Sequence, residues 1–261
     1  MIRATAFVFL FLLTHASLLV LFPFSLSRFL LWLAWYGVGT LVMLYLLFNP
    51  RSQWLVANRS RVECGGRRCV SLTFDDGPTS LHTPKLLETL KKLNIQATFF
   101  VIGKEAEQHP ELLQRAVADG HIIANHTYSH PYLFCFLTPG RLRSEIEKGQ
   151  EAVKKICGQR PRYFRSPVGL RHPLLNLYLE RAELEYVSWT IRSFDTVMTK
   201  PETILKRILK RVAPGDIILL HDNARAGGVM LDVLPRMIHE LKGRGFEFVP
   251  VGAKESAAVP A

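Results

Sequence analysis

Cys69-Val70-Ser71-Leu72-Thr73-Phe74-Asp75-Asp76-Gly77-Pro78 is an apolar, β-branched run that stops at two carboxylates and a Gly-Pro turn. Residues 69–74 therefore read as a buried strand, and Gly77-Pro78 as the sharp turn that fixes the loop after it. Downstream the pattern alternates. Helical stripes are expected at 84–93, 109–118, 139–157, 174–181, 201–212 and 230–242, and strands at 97–102, 121–124, 162–164, 185–189, 216–220 and 246–250. Strands separated by such helices imply a parallel sheet with right-handed crossovers. About seven or eight units of this kind point to a closed or nearly closed barrel, whose chemistry gathers at the C-terminal ends of its strands.

Upstream the composition changes. Hydrophobic residues make up 48% of the 261-residue chain, but they crowd into its first fifty positions. Two apolar runs, 4–24 and 29–48, are each about 20 residues long, enough to cross a hydrocarbon core of about 30 Å. The short connector Ser25-Leu26-Ser27-Arg28 makes the pair read as a transmembrane hairpin over 1–50, followed by a basic linker at 51–68, the main domain at 69–252 and a tail at 253–261. A competing reading makes the first run a signal peptide with a poor cleavage site at Thr14-His15-Ala16. A hairpin, with Arg51, Arg59, Arg61, Arg67 and Arg68 beside it, favours a cytoplasmic domain. A single span puts the domain outside, so sidedness is open. Cys64 and Cys69 flank Gly65-Gly66-Arg67-Arg68, a turn able to bring their sulfurs together, while Cys135 and Cys157 read as isolated thiols. The net charge of +11 suits a phosphate- or carboxylate-bearing partner or merely solvated helix faces; no basic stretch interleaved with aromatics points to nucleic acid.

The chemistry-bearing residues fall where strands end. Adjacent at a strand terminus, Asp75 and Asp76 diverge, so one can bind a cation while the other takes a proton. His126 and His130 lie four apart, a spacing that on a helical turn puts both imidazoles on one face. Two imidazoles and a carboxylate leave coordination positions open, which suits a catalytic ion. Arg165 begins Arg165-Ser166-Pro167-Val168-Gly169, and its guanidinium can orient a carboxylate, with Asp195 in turn holding Arg165. His221 follows a buried strand, where an imidazole can protonate a leaving amine. His121 and His172 read as structural, and Trp189 as core or pocket wall.

In order, these segments resemble the polysaccharide deacetylase family with the NodB-type domain, carbohydrate esterase family four, over residues 69–250. Thr73 to Pro78 is similar to its first motif, His126 to His130 to its second and Arg165 to Gly169 to its third. Asp195 stands where the fourth has its arginine-holding aspartate, and Leu219-Leu220-His221-Asp222 resembles the fifth. The resemblance implies a distorted (β/α)7 barrel and a divalent ion, usually zinc, on Asp76, His126 and His130. It makes Asp75 the general base, tuned by Arg165 and Asp195, and His221 the general acid. Leu219 would line the pocket for the acetyl methyl group, and the Val168 N–H would face the oxyanion. Two departures stand out: Thr196 where the family often has tryptophan, and Val168 where many members have an aromatic residue.

The expected activity is metal-dependent removal of N-acetyl groups from an amino sugar, in a glycan or on a lipid carrier at the membrane. Deformylation or cyclic-amide hydrolysis on the same barrel is an alternative. So is an inactive, membrane-tethered saccharide-binding module, against which the intact set of polar residues argues.

Overall fold

The computed structural model describes residues 25–49 and 51–252. The first of the two apolar runs, and with it one half of the expected hairpin, lies outside the described residues. The second is α1 (Leu26–Phe48), whose stretch Phe29–Phe48 is, among the described residues, the one helix long and apolar enough to cross a membrane. At 1.5 Å per residue it is about 35 Å long. Most of its apolar side chains are exposed, but its end is not: Leu46 and Leu47 are buried against Leu55, Cys135 and Leu170. α1 is thus seated on the domain it precedes.

The domain is built on parallel strands: β1 (Asn58–Arg59), β2 (Cys69–Asp75), β3 (Thr98–Val101), β4 (Ile122–Asn125), β5 (Tyr163–Phe164), β6 (Glu185–Val187), β7 (Ile191–Arg192), β8 (Ile217–His221) and β9 (Glu247–Phe248). From edge to edge they run β1-β6-β5-β4-β3-β2-β8-β7, with β9 pairing beside β2. β1 and β7 do not pair, so the barrel is curled but open. Helices α2 (Thr83–Lys92), α3 (Gly103–Gln108), α4 (Pro110–Ala118), α5 (Pro139–Cys157), α6 (Leu175–Arg181), α7 (Pro201–Arg211) and α8 (Gly227–Gly243) form the crossovers. α5 shows why sequence fixes such bounds. Pro139 occupies the first turn, where its missing N–H costs nothing, and Gly158 ends the helix in the left-handed conformation at φ 72°.

All seven residues of β2 are buried, as suits a central strand covered on both faces. Val70, Leu72 and Phe74 point into one core with Leu86, Leu87 and Leu90 of α2 and Val233, Leu234 and Met237 of α8. Register then places the site: Asp75 lies opposite Phe100 of β3 and His221 of β8, and Asn125 lies opposite Phe164 of β5. Asp75, His126, Arg165 and His221 therefore rise at one level of the barrel.

Two expectations need correction. The stretch 51–68 is not a free linker: β1 pairs with β6, Arg61 bridges to Asp216, and Val56 and Val62 are buried. Arg59 pairs with Glu185, Arg61 with Asp216 and Arg67 with Glu247, so these cations serve the fold. Also, the expected strand at 185–189 is shorter, ending at Val187, and an unexpected two-residue strand, β7, follows at Ile191. Cys64 and Cys69 form a disulfide, with Cα atoms 5.6 Å apart.

Leu72 sits at the centre of this packing with no exposed surface. Leu72→Ala should cost about 2–5 kcal/mol, read as a lowered unfolding midpoint of the full chain in detergent.

Candidate active site

Asp75 is the last residue of β2, and Asp76 turns out of the strand with φ 75°. This left-handed step sends the two neighbouring carboxylates in different directions. Asp75 Oδ1 accepts a hydrogen bond from Arg165 Nη1 at 2.6 Å. Its Oδ2 lies 3.8 Å from His126 Nε2. Asp76 Oδ1 lies 3.4 Å from His126 Nε2 and 3.2 Å from His130 Nε2. Three donor atoms of different residues thus converge within 4.8 Å of one another.

The two imidazoles meet by a route the spacing did not suggest. Residues 126–130 form a tight loop and not a helical turn, with Thr127 at φ 69° and His130 at φ 52°. Side chains hold this shape. Asn125 Oδ1 accepts the Thr127 N–H, Thr127 Oγ1 accepts the His130 N–H, and Glu145 accepts from both the N–H and the hydroxyl of Ser129. Gly149 on α5 is needed because a Cβ there would lie 2.5 Å from Asn125 Oδ1 and 2.9 Å from the Thr127 backbone. His126 Nδ1 lies 2.7 Å from the Arg165 carbonyl oxygen, which can only accept; Nδ1 therefore carries the proton and Nε2 keeps its lone pair. Burial, then the neighbouring His126, pulls His130 down to about 4, so it is neutral at pH 7. For Asp76, burial pushes the carboxyl up, but its close neighbours His126, His130 and His221 outweigh it and hold the group well below the usual carboxylate range. Two imidazole nitrogens beside an ionised carboxylate are the donor set a divalent ion takes, and these residues fit one.

Arg165 is fully buried. It donates to Asp75, to Thr73 Oγ1 and to the carbonyls of Val187 and Ser188, and its guanidinium lies 3.9 Å from the Phe100 ring centroid. Asp195 does not hold it. Asp195 Oδ1 lies 2.7 Å from His221 Nδ1, and Oδ2 accepts the His221 N–H at 2.8 Å. The physical reason is capacity: backbone carbonyls and Thr73 already satisfy Arg165, while His221 presents two N–H groups to one carboxylate. Burial lowers the His221 pKa, but the Asp195 hydrogen bond and charge, helped by Asp75 and Asp76, leave it raised above the usual imidazole value.

Asp75, Asp76, His126, His130 and His221 line one cavity of about 620 Å³, walled by Trp189, Leu219, Thr196 and the half-exposed Val168, with Arg165 and Asp195 buried behind them. Val168 adopts φ 57°, and a Cβ on Gly169 would lie 2.5 Å from the Trp189 ring, so only glycine lets that wall close. Sequence reasoning missed Asn223, whose Nδ2 donates to Asp76 Oδ2 at 2.7 Å. Its position two residues beyond His221 was the available signal. His121 and His172 are structural as expected: each ring nitrogen at Nδ1 accepts a backbone N–H, from Ala97 and Leu174 respectively.

Comparison with known proteins places the chain in a family. The polysaccharide deacetylase family profile matches residues 63–187. A chitooligosaccharide deacetylase of Bradyrhizobium sp. is 34% identical over 205 residues, covering 74% of this chain and 93% of that protein. The chain belongs to the polysaccharide deacetylase family. A peptidoglycan-N-acetylglucosamine deacetylase of Bacillus cereus is 37% identical over 186 residues, with 69% of this chain matching 66% of that protein. The chain thus spans just under two thirds of that relative's length. Among solved structures, a peptidoglycan N-acetylglucosamine deacetylase superposes with a TM-score of 0.69 at 33% identity, covering 74% of this chain and 90% of the other.

Metal analysis of purified variants checks the ligand set of this family member. Asp76→Ala should lose the bound ion, whereas Asn223→Ala should retain it with affinity weakened by about 10–100-fold, the usual effect of removing a ligand's own partner.

Proposed function

We propose that the chain is a membrane-anchored, divalent-metal-dependent hydrolase that removes N-acetyl groups from amino sugars of a saccharide, giving acetate and a free amine. One observation carries this reading. Asp76, His126 and His130 converge beside Asp75, and His221 stands with them in the same cavity. A bound divalent ion, usually zinc in this family by resemblance, would supply Lewis-acid polarisation of the amide carbonyl and of water.

The chain's own residues supply the rest. Arg165 occupies Asp75 Oδ1, so Oδ2, facing the ligand cluster, is the oxygen free to take a proton from attacking water. Water oxygen bonds to the acetyl carbonyl carbon, and the Val168 N–H would face the developing oxyanion. His221 Nδ1 is committed to Asp195, leaving Nε2–H to protonate the sugar nitrogen as the C–N bond breaks. The proton on Asp75 then returns to solvent, and His221 is reprotonated. Leu219 and Trp189 form the apolar wall that receives the methyl group. Thr196, in place of a bulky aromatic, leaves that wall wider.

The anchor is α1. The Cys64–Cys69 disulfide supports a domain on the oxidising, outer side of the membrane. The arginine bias points the other way, but Arg59, Arg61 and Arg67 are paired with acids in the folded domain. The disulfide is therefore the weightier sign.

Acetate release from an N-acetylglucosamine oligomer, measured with and without chelator, tests the reading. The full chain should release acetate only in the metal-loaded state, and Asp75→Asn should abolish release while the ion stays bound. Saccharide binding without turnover in the loaded wild type would favour a binding module instead. The pH profile of kcat/KM gives a second check. Because His221 must be protonated to act and its pKa is raised, the alkaline limb should lie above about 6.5. Asp195→Asn removes the partner that raises it, so that limb should move to lower pH.

A further inference from the structure

A second cavity, of about 490 Å³, adjoins the first and shares Val168, Gly169, Trp189 and Arg192 with it. Its other walls bring together Arg51, Arg207 and Arg211 with Phe48 and Asn49 from the end of α1. The four arginines come from three separate stretches of chain, yet none of them meets a carboxylate among the described residues. Arg51 donates to the Thr190 carbonyl and Arg207 to the Arg192 carbonyl, while Arg192 Nε is buried with no partner. The guanidinium groups of Arg207 and Arg192 lie over the Phe194 ring, at 4.4 and 5.0 Å from its centroid. Burial, then the like charges of Arg211 and Arg192, lowers the pKa of Arg207. Arg51 and Arg211 are exposed and Arg192 and Arg207 half-buried, so water solvates them, but four like charges around one hollow with no carboxylate among them attract an anion.

Position specifies the anion. The hollow opens where α1 meets the domain, beside Leu170 and Cys135, and the neighbouring Leu133 and Phe136 are exposed apolar side chains. A sugar seated over the Asp76 cluster would extend past Val168 and Trp189 into the arginines. We propose that this cavity is a subsite for a phosphate or diphosphate carried by the sugar substrate, so that the enzyme acts on glycosyl phosphates at the membrane surface. Arginine suits this because its planar fork matches phosphate oxygens in pairs. The assignment of a sugar to the neighbouring site rests on the deacetylase reading; the phosphate subsite itself is testable by binding alone.

The test uses the full chain carrying Asp75→Asn, in nanodiscs and stripped of metal so that no cation can hold phosphate. It is titrated calorimetrically with N-acetylglucosamine 1-phosphate, neutral di-N-acetylchitobiose and N-acetylmuramic acid. The phosphate ester should bind at least about tenfold tighter than the neutral sugar, and Arg207→Gln/Arg211→Gln should remove that advantage. Lys206→Gln/Lys210→Gln, which removes the same charge from α7 outside the cavity, should keep it. Equal affinities, an advantage that survives the arginine changes or disappears with the lysine changes, or equally tight binding of the muramic carboxylate would overturn the proposal. A polyprenyl ester binding tighter than the soluble phosphate identifies a lipid-linked source; equal binding identifies a soluble one, and both uphold the subsite. Because no turnover is read, failure of the wild type to release acetate would sink the deacetylase reading separately.

Discussion

The buried guanidinium of Arg165 is the constraint on which the site depends. A charge with no exposed surface is tolerated only when its donors and its field are both satisfied. Here Asp75 supplies the counter-charge, Thr73 and two strand-end carbonyls take the remaining donors, and Phe100 lies against the face of the group. The same residue uses its backbone too. Its N–H donates to the Asn125 carbonyl, and its own carbonyl accepts from His126 Nδ1. One residue therefore orients Asp75, the proposed base, sets the tautomer of His126 in the candidate metal site, and ties the ends of β2, β4, β5 and β6 together.

Backbone strain is gathered at the same end of the barrel. Among the described residues seven non-glycine positions adopt positive φ, and Asp76, Thr127, His130, Val168 and Phe194 all belong to the catalytic cavity, its ligand loop or the arginine hollow. Such conformations cost about 1–3 kcal/mol each and are least favourable for β-branched Thr127 and Val168. They persist because side chains over-determine them: Asn125 and Glu145 hold the ligand loop, and Gly149 and Gly169 make room for it and for Trp189. The strain does chemical work, since it points neighbouring residues into one cavity that regular strand or helix geometry would spread apart.

Much of this was legible in sequence, for identifiable reasons. Strands such as Cys69–Asp75 and helices such as Pro139–Cys157 announce themselves through continuous apolar runs, proline in the first turn and a terminal glycine. The candidate metal trio Asp76, His126 and His130 was legible from local motifs. The two-residue strands β1 and β7 were not, because nothing so short carries a period; tertiary pairing alone makes them strands. The partner of Asp195 was misassigned because a strand-end carboxylate can reach either Arg165 or His221, and only the satisfied donors of Arg165 decide between them. Arg51, Arg192, Arg207 and Arg211 looked like an ordinary share of a basic composition; their convergence is a product of the fold.

The adjacent aspartates show how a single backbone step separates two functions. Asp75 completes its strand and meets a cation, Arg165, which fixes one oxygen and leaves the other toward the cavity. Asp76 leaves the strand in a left-handed turn and meets a neutral amide, Asn223, on Oδ2. A neutral partner orients this carboxylate without cancelling its charge, so Oδ1 keeps its full field toward the two imidazoles, as the proposed cation would need. Exchanging the partners would reverse the arrangement, placing a guanidinium where it competes with the ion and leaving the proton acceptor without a fixed direction. The pairing of each carboxylate with the right kind of donor, more than the presence of two carboxylates, is what suits this barrel end to hydrolysis.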